Sequence, residues 1–175
     1  MKRCLFFSLA VGAAALALSS QAFSAETGGC NSFAWSVATE LKWMKATDSQ
    51  AVASGAKLPS PPEKAMTLTL EPMGAVSFPV APTGKLKPQG DVYGGIVNFD
   101  SPSSAPGSYQ VTMQTGGWVD VIQDGKALKP TAHSGKSDCD GVRKTIRFNL
   151  DPGPFTVEFS NIAKDSIKFA IRQAE

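Results

Sequence analysis

Three successive stretches in the last third of the chain constrain the fold most. KTIRFNL (144–150), FTVEFS (155–160) and SIKFAIR (166–172) each place an apolar residue at every second position. Side chains of a strand point alternately to its two faces, so such alternation gives one face to a core and the other to polar surroundings. Ile146, Phe148 and Leu150, then Phe155, Val157 and Phe159, then Ile167, Phe169 and Ile171 are the predicted inward residues. Clean alternation belongs to antiparallel sheets with one solvated face.

The same grammar runs upstream. MTLTLEP (66–72) alternates Met66, Leu68 and Leu70. GAVSFPV (74–80) alternates Val76, Phe78 and Val80, with Pro79 pushing it toward a sheet edge. GGIVNFD, GSYQVTMQ and WVDVIQ follow, with Tyr109 read as core. Asp124 and Gly125 then form a strong hairpin signal, because both tolerate positive φ. About seven or eight short strands at roughly ten-residue spacing predict a mainly β fold, an antiparallel β-sandwich or jelly roll, spanning 65–175. No helical pattern lies between the strands, which excludes a parallel βαβ fold.

Residues 25–64 read differently. CNSFAWSVATELKWMKA (30–46) carries Phe33, Val37, Leu41 and Met44 at helical spacing, with Asn31 or Ser32 as candidate caps. It predicts one N-terminal helix whose aromatic face, widened by Trp35 and Trp43, packs on a sheet. SGAKLPSPPEK (54–64) reads as an extended Pro-rich connector.

Residues 1–24 have the layout of a signal peptide: Lys2 and Arg3, an apolar run from Cys4 to Leu18, then small and polar residues. The run is too short to span a bilayer comfortably, which takes roughly 20 residues. The chain is therefore expected to be exported, periplasmic or secreted, with no membrane span after cleavage following Ala22 or Ser24. Without Lys2 and Arg3, fifteen basic residues face fifteen acidic ones. A neutral domain offers no electrostatic case for nucleic acid. Cys4 leaves with the signal, so Cys30 and Cys139 remain, and an exported chain with two cysteines predicts one disulfide between them.

The candidate chemistry gathers in TAHSGKSDCDGVRKTIR (131–147). His133 is the single histidine of the chain. Iron and zinc sites built on several imidazoles or thiolates are therefore out of reach, and no transition-metal or organic cofactor is expected. No serine sits in a GxSxG turn, which removes the motif of one hydrolase class. Asp138 and Asp140 are calcium candidates, but calcium takes six to eight oxygens, and turn chemistry accounts for the same residues. Asp120 and Asp124 are further oxygens within reach of that reading. Trp118, His133, Arg143 and Arg147 form a candidate ligand surface. Arginine offers paired N–H donors to a carboxylate, and an indole offers a platform to a sugar ring.

The stretch GSYQVTM…WVDVIQDGKALK…CDGVRKTIRFNLDPGPFTVEFSN…SIKFAIR resembles a small proteobacterial family of secreted β-sandwich proteins without an established function. It resembles more loosely the pre-peptidase C-terminal type of sandwich. The likeness rests on a G-x-Y-x-V strand and on the turn Leu150, Pro152, Gly153, Phe155, and covers roughly residues 107–171. It implies an accessory sandwich that binds a polymer, and it supplies no catalytic residues. Similar sequences can carry the label homogentisate 1,2-dioxygenase. Such an enzyme resembles a cupin-type iron protein with two histidines and a carboxylate, a set that one histidine does not supply. The expected function is a non-catalytic binding or envelope-accessory module for a glycan, peptide or protein partner. The alternative is a small periplasmic hydrolase or metal enzyme using His133 with Asp138 or Asp140.

Overall fold

A computed structural model describes residues 28–85, 91–102 and 105–175. The predicted signal peptide at 1–24 and Cys4 lie outside the described residues. The elements begin with a short 3-10 turn at Gly29–Ser32 and helix α1 at Ala38–Lys45. Strands β1 (Gln50–Ala53), β2 (Lys57–Leu58), β3 (Met66–Thr69) and β4 (Glu71–Pro72) follow. Then come β5 (Tyr93–Phe99), β6 (Gly107–Met113), β7 (Trp118–Gln123) and β8 (Lys126–Ala127). The chain closes with β9 (Ala132–Gly135), β10 (Lys144–Leu150), β11 (Phe155–Ile162) and β12 (Ser166–Gln173). Among the described residues no helix is long and apolar enough to cross a membrane.

The strands form a β-sandwich. One sheet runs β1-β3-β12-β6-β10-β9; the other runs β2-β5-β11-β7-β8, with β4 beside β5. The long strands pair antiparallel in both sheets. Between the sheets lie the alternating residues of the C-terminal half, Ile146, Phe148, Phe155, Val157, Phe159, Ile167, Phe169 and Ile171, with Met66, Leu68 and Tyr109. Phe99 stacks on Phe155, and Phe159 meets Phe169 at 4.7 Å. Such aromatic pairs add roughly 0.5–1.5 kcal/mol beyond the area they bury.

Two departures from a purely antiparallel sandwich come from residues 50–58, just before and at the start of the stretch read as a connector. Gln50–Ala53 pairs parallel with β3, and Lys57–Leu58 pairs parallel with β5. Residues 50–58 thus step from the edge of one sheet to the edge of the other. With these, β4, β8 and β9, five short pieces raise the described strands above the expected seven or eight; none exceeds four residues.

GAVSFPV is not a strand. Only a 3-10 turn forms, at Met73–Ala75. Its alternation is real, since Val76, Phe78 and Val80 are each more covered than their neighbours. Pro79 and Pro82 lack the N–H that a ladder needs, so the segment lies across a sheet and does not join one. The helix is likewise shorter than expected. It starts at Ala38 after Val37, without a side-chain cap, and Phe33–Val37 precede it as non-helical chain. The expected stripe still packs: Phe33, Val37 and Met44 are buried with Ala65, Val142 and Ala170.

The Asp124–Gly125 turn between β7 and β8 has both residues at positive φ, 50° and 69°. That is the turn twist that matches paired strands.

Candidate functional site

Both outer faces of the sandwich are covered, each by a segment crossing the strands. The first cover is residues 29–46. The amide of Ala34 donates to Ser134 Oγ on β9 at 3.0 Å. Trp35 lies under the Arg147 guanidinium of β10 at 4.2 Å. Glu40 accepts hydrogen bonds from Gln110 of β6 and from Arg172 of β12. Lys168 of β12 donates to the Met44 and Ala46 carbonyls, both at 2.7 Å, closing the C-terminus of α1. Ser49 meets Thr67 of β3 before the chain enters β1. The expected disulfide pins the start of this cover: Cys30 and Cys139 are bonded, with Cα atoms 4.6 Å apart.

The second cover is residues 76–85, across β5, β11 and β7. Phe78 and Met73 lie against Gly94 of β5. The Val80 amide donates to Glu158 Oε1 at 3.2 Å. The Thr83 amide and hydroxyl donate to Asp120 at 3.0 and 2.5 Å. The Trp118 indole donates to Thr83 Oγ1 at 2.9 Å and to Asp120 at 3.1 Å. Asn161 donates to the Lys85 carbonyl. Asn161 occupies a bulge in β11 at φ 55°, a conformation asparagine tolerates better than most residues. Gly84 is obligatory, because a Cβ there would sit 2.4 Å from Trp118 Cγ.

Asp120 and Glu158 are directly opposed on β7 and β11. Both are buried, and no cation forms an ion pair with either among the described residues. Glu158 Oε2 and Ser160 Oγ are buried without a hydrogen-bond partner among the described residues. Burial pushes the Glu158 carboxyl up to about 7, helped by the charge of Asp120 and opposed by the Val80 amide.

Where Trp118 starts β7, a cleft of about 490 Å³ opens at the end of the sandwich. It is lined by Gly116, Gly117, His133, Ser134, Gly135, Arg143 and Lys144, with no carboxylate. Trp118 is the exposed large apolar side chain among the described residues, at 38 %. Lys144 Nζ lies 4.9 Å from its ring centroid and donates to the Gly117 carbonyl at 3.4 Å. Burial pulls the Lys144 ammonium below the usual lysine range, partly offset by Asp120. Arg143 is exposed, and among the described residues no ion pair holds its guanidinium. A second cleft, about 670 Å³, shares Arg143 and is lined also by Asp138, Asp140, Lys164 and Lys168.

Of the four candidate ligand residues, Trp118, His133 and Arg143 therefore meet at one end. Arg147 does not: it points to the opposite face of β10, stacked on Trp35 and bonded to Gln110 at 3.2 Å. Its place is set by pleat parity, since Ile146 and Phe148 on either side point into the core. The residues of the alternative enzyme reading are not brought together. His133 is exposed on the edge strand β9, while Asp138 and Asp140 line the other cleft. Asp120 is engaged by Thr83, and Asp124 turns the hairpin at the far end of β7, so neither completes a calcium shell with them. Among the described residues no three His, Cys, Asp or Glu side chains converge as a metal site. Lys144, Glu158 and Thr83 were not singled out by the sequence. A lysine opening an alternating strand and a glutamate at an outward position both read as solvated side chains. Compared with protein-family models, curated proteins and solved structures, the chain has no significant match.

Proposed function

We propose that the chain is an exported, non-catalytic module that holds an anionic envelope ligand, an acidic glycan above all, at the Trp118 end of the sandwich. The observation that carries this reading is the cleft lined by His133, Arg143 and Lys144 without a carboxylate, beside an exposed indole. A free guanidinium recognises carboxylate or sulfate through paired N–H groups, and an indole face takes the apolar side of a sugar ring. The glycines at 116 and 117 let a ligand approach the backbone closely. Support for export comes from the layout of residues 1–24 and from the disulfide, a bond that oxidising compartments preserve. The hydrolase alternative has no carboxylate in the cleft with His133 among the described residues, and the Ser134 hydroxyl there is taken by the Ala34 amide.

Calorimetric titration of the mature protein with polygalacturonate and with a neutral glucan tests the reading. The acidic polymer is expected to bind, more weakly as salt rises. The pair Arg143→Ala and Lys144→Ala should lower affinity at least about tenfold, since hydrogen bonds to charged groups contribute about 1.5–3 kcal/mol each. Equal binding of the neutral glucan, or no effect of the pair, refutes it.

A further inference from the structure

The second cover has a feature that ligand binding does not use. Asp120 and Glu158 stand opposite each other beneath residues 76–85, and the cover is tied to the sheet through these two carboxylates. Directly opposed like charges destabilise a strand pair. The groups that face Glu158 supply no relief. From β7 comes Asp120, and from β5 the paired residue is Ile96. From β11 itself come Thr156 and Ser160, and Ser160 Oγ makes no bond. From the cover, residues 76–84 bring no ionisable side chain, and Lys85 is held through its backbone carbonyl. Among the described residues Lys144 acts on the neighbouring Asp120.

We propose that residues 76–85 are a proton-dependent cover, closed while Glu158 carries a proton and loosened when that proton leaves to solvent. A charged Glu158 has one Oε2 without a donor, in a buried place beside a second carboxylate. Lifting the cover gives that oxygen water, which is the cheapest way to solvate it, because no strand has to leave the sheet. The two oxygens of Asp120 take three donors, from Thr83 and Trp118, whereas Glu158 takes one, from Val80. The two proline breaks at 79 and 82 keep the cover out of any ladder, so it can lift without unzipping one. This inference stands apart from the ligand reading and survives its failure.

Linkage fixes the size of the effect. If opening requires loss of one proton, the open population rises by up to about tenfold per pH unit above the closed-state titration point, and not below it. Amide hydrogen exchange of Val80 and Thr83, corrected for intrinsic base catalysis, should be measured in the mature protein from pH 5 to pH 9. Protection is expected to hold at acid pH and to fall above neutrality. Amides in β6 and β12 should not follow it. Glu158→Gln should leave Val80 and Thr83 protected across the range. Carbon-13 titration of the wild-type Glu158 carboxyl gives a readout that needs no variant. Flat protection in the wild type, unchanged pH dependence in Glu158→Gln, or an ordinary carboxylate titration of Glu158 overturns the proposal.

Discussion

The two outer faces use one device with opposite electrostatics. Each is covered by a segment outside the ladder, and each cover involves a buried glutamate. Under residues 29–46, Glu40 is fully buried but meets the Arg172 guanidinium at 2.7 Å, and Gln110 joins the pair. Under residues 76–85, Glu158 is as deeply buried with a carboxylate for a neighbour, and among the described residues no cation pairs with it. The first cover is also bonded covalently through Cys30 and Cys139; the second is held by hydrogen bonds and packing. A buried charge with its counter-ion fixes a segment at any ordinary pH, whereas a buried acid facing another acid makes the segment's hold depend on protons.

The comparison breaks most visibly at the disulfide. Replacing Cys30 and Cys139 together by serine opens a loop with a sequence separation of 109 residues. Chain entropy puts the loss at about 4–5 kcal/mol, read from urea midpoints against the oxidised wild type. Arg172→Ala comes next. It strands Glu40, whose second oxygen Oε2 already lacks a partner, and the expected loss is about 3–5 kcal/mol.

Glu158 itself sharpens the contrast through pH. Its folded value near 7 lies above the ordinary 4.5, so the folded state binds more protons between those values. Stability from this group is therefore complete below about pH 4.5 and is lost as pH rises through about 7. Thermal melts should show this fall in the wild type and a flatter profile in Glu158→Gln. The smallest effect belongs to His133→Ala. An exposed side chain on an edge strand should shift stability by no more than about 0.5 kcal/mol.

Alternation revealed the sandwich because the nine predicted inward residues of β10, β11 and β12 are apolar and all lie in the core, and the disulfide followed from two cysteines and a compartment. What alternation could not show is that the outward faces are also buried. Gln110, Thr112, Thr145 and Glu158 are polar and outward, as on a solvated face, yet each is covered. Their partners come from segments about 30 to 80 residues away in sequence, including the Thr112–Thr145 hydroxyl pair at 3.0 Å. Polarity reports which face a residue is on, but not what lies over it. GAVSFPV shows the same limit from the other side: its period of two was legible, while the prolines that move it out of the ladder decided the outcome. For the site, Trp118, His133 and Arg143 were legible as residue types suited to ligands. Arg147 faces away by the parity of β10, which Ile146 and Phe148 made legible, while the Trp35 ring stacked on it is a contact no local pattern encodes.

The position of β12 carries a consequence for how the molecule is made. The last strand of the sandwich lies between β3 and β6 in the middle of its sheet, pairing with both. Until residues 166–173 arrive, β3 and β6 each present an open edge, and the two halves of that sheet have no ladder between them. Open edges invite pairing with other chains, and distant pairings form slowly. The ribosome must therefore release the chain through residue 173 before the fold can close, so premature termination upstream of Ser166 should yield aggregating fragments in place of a shortened domain.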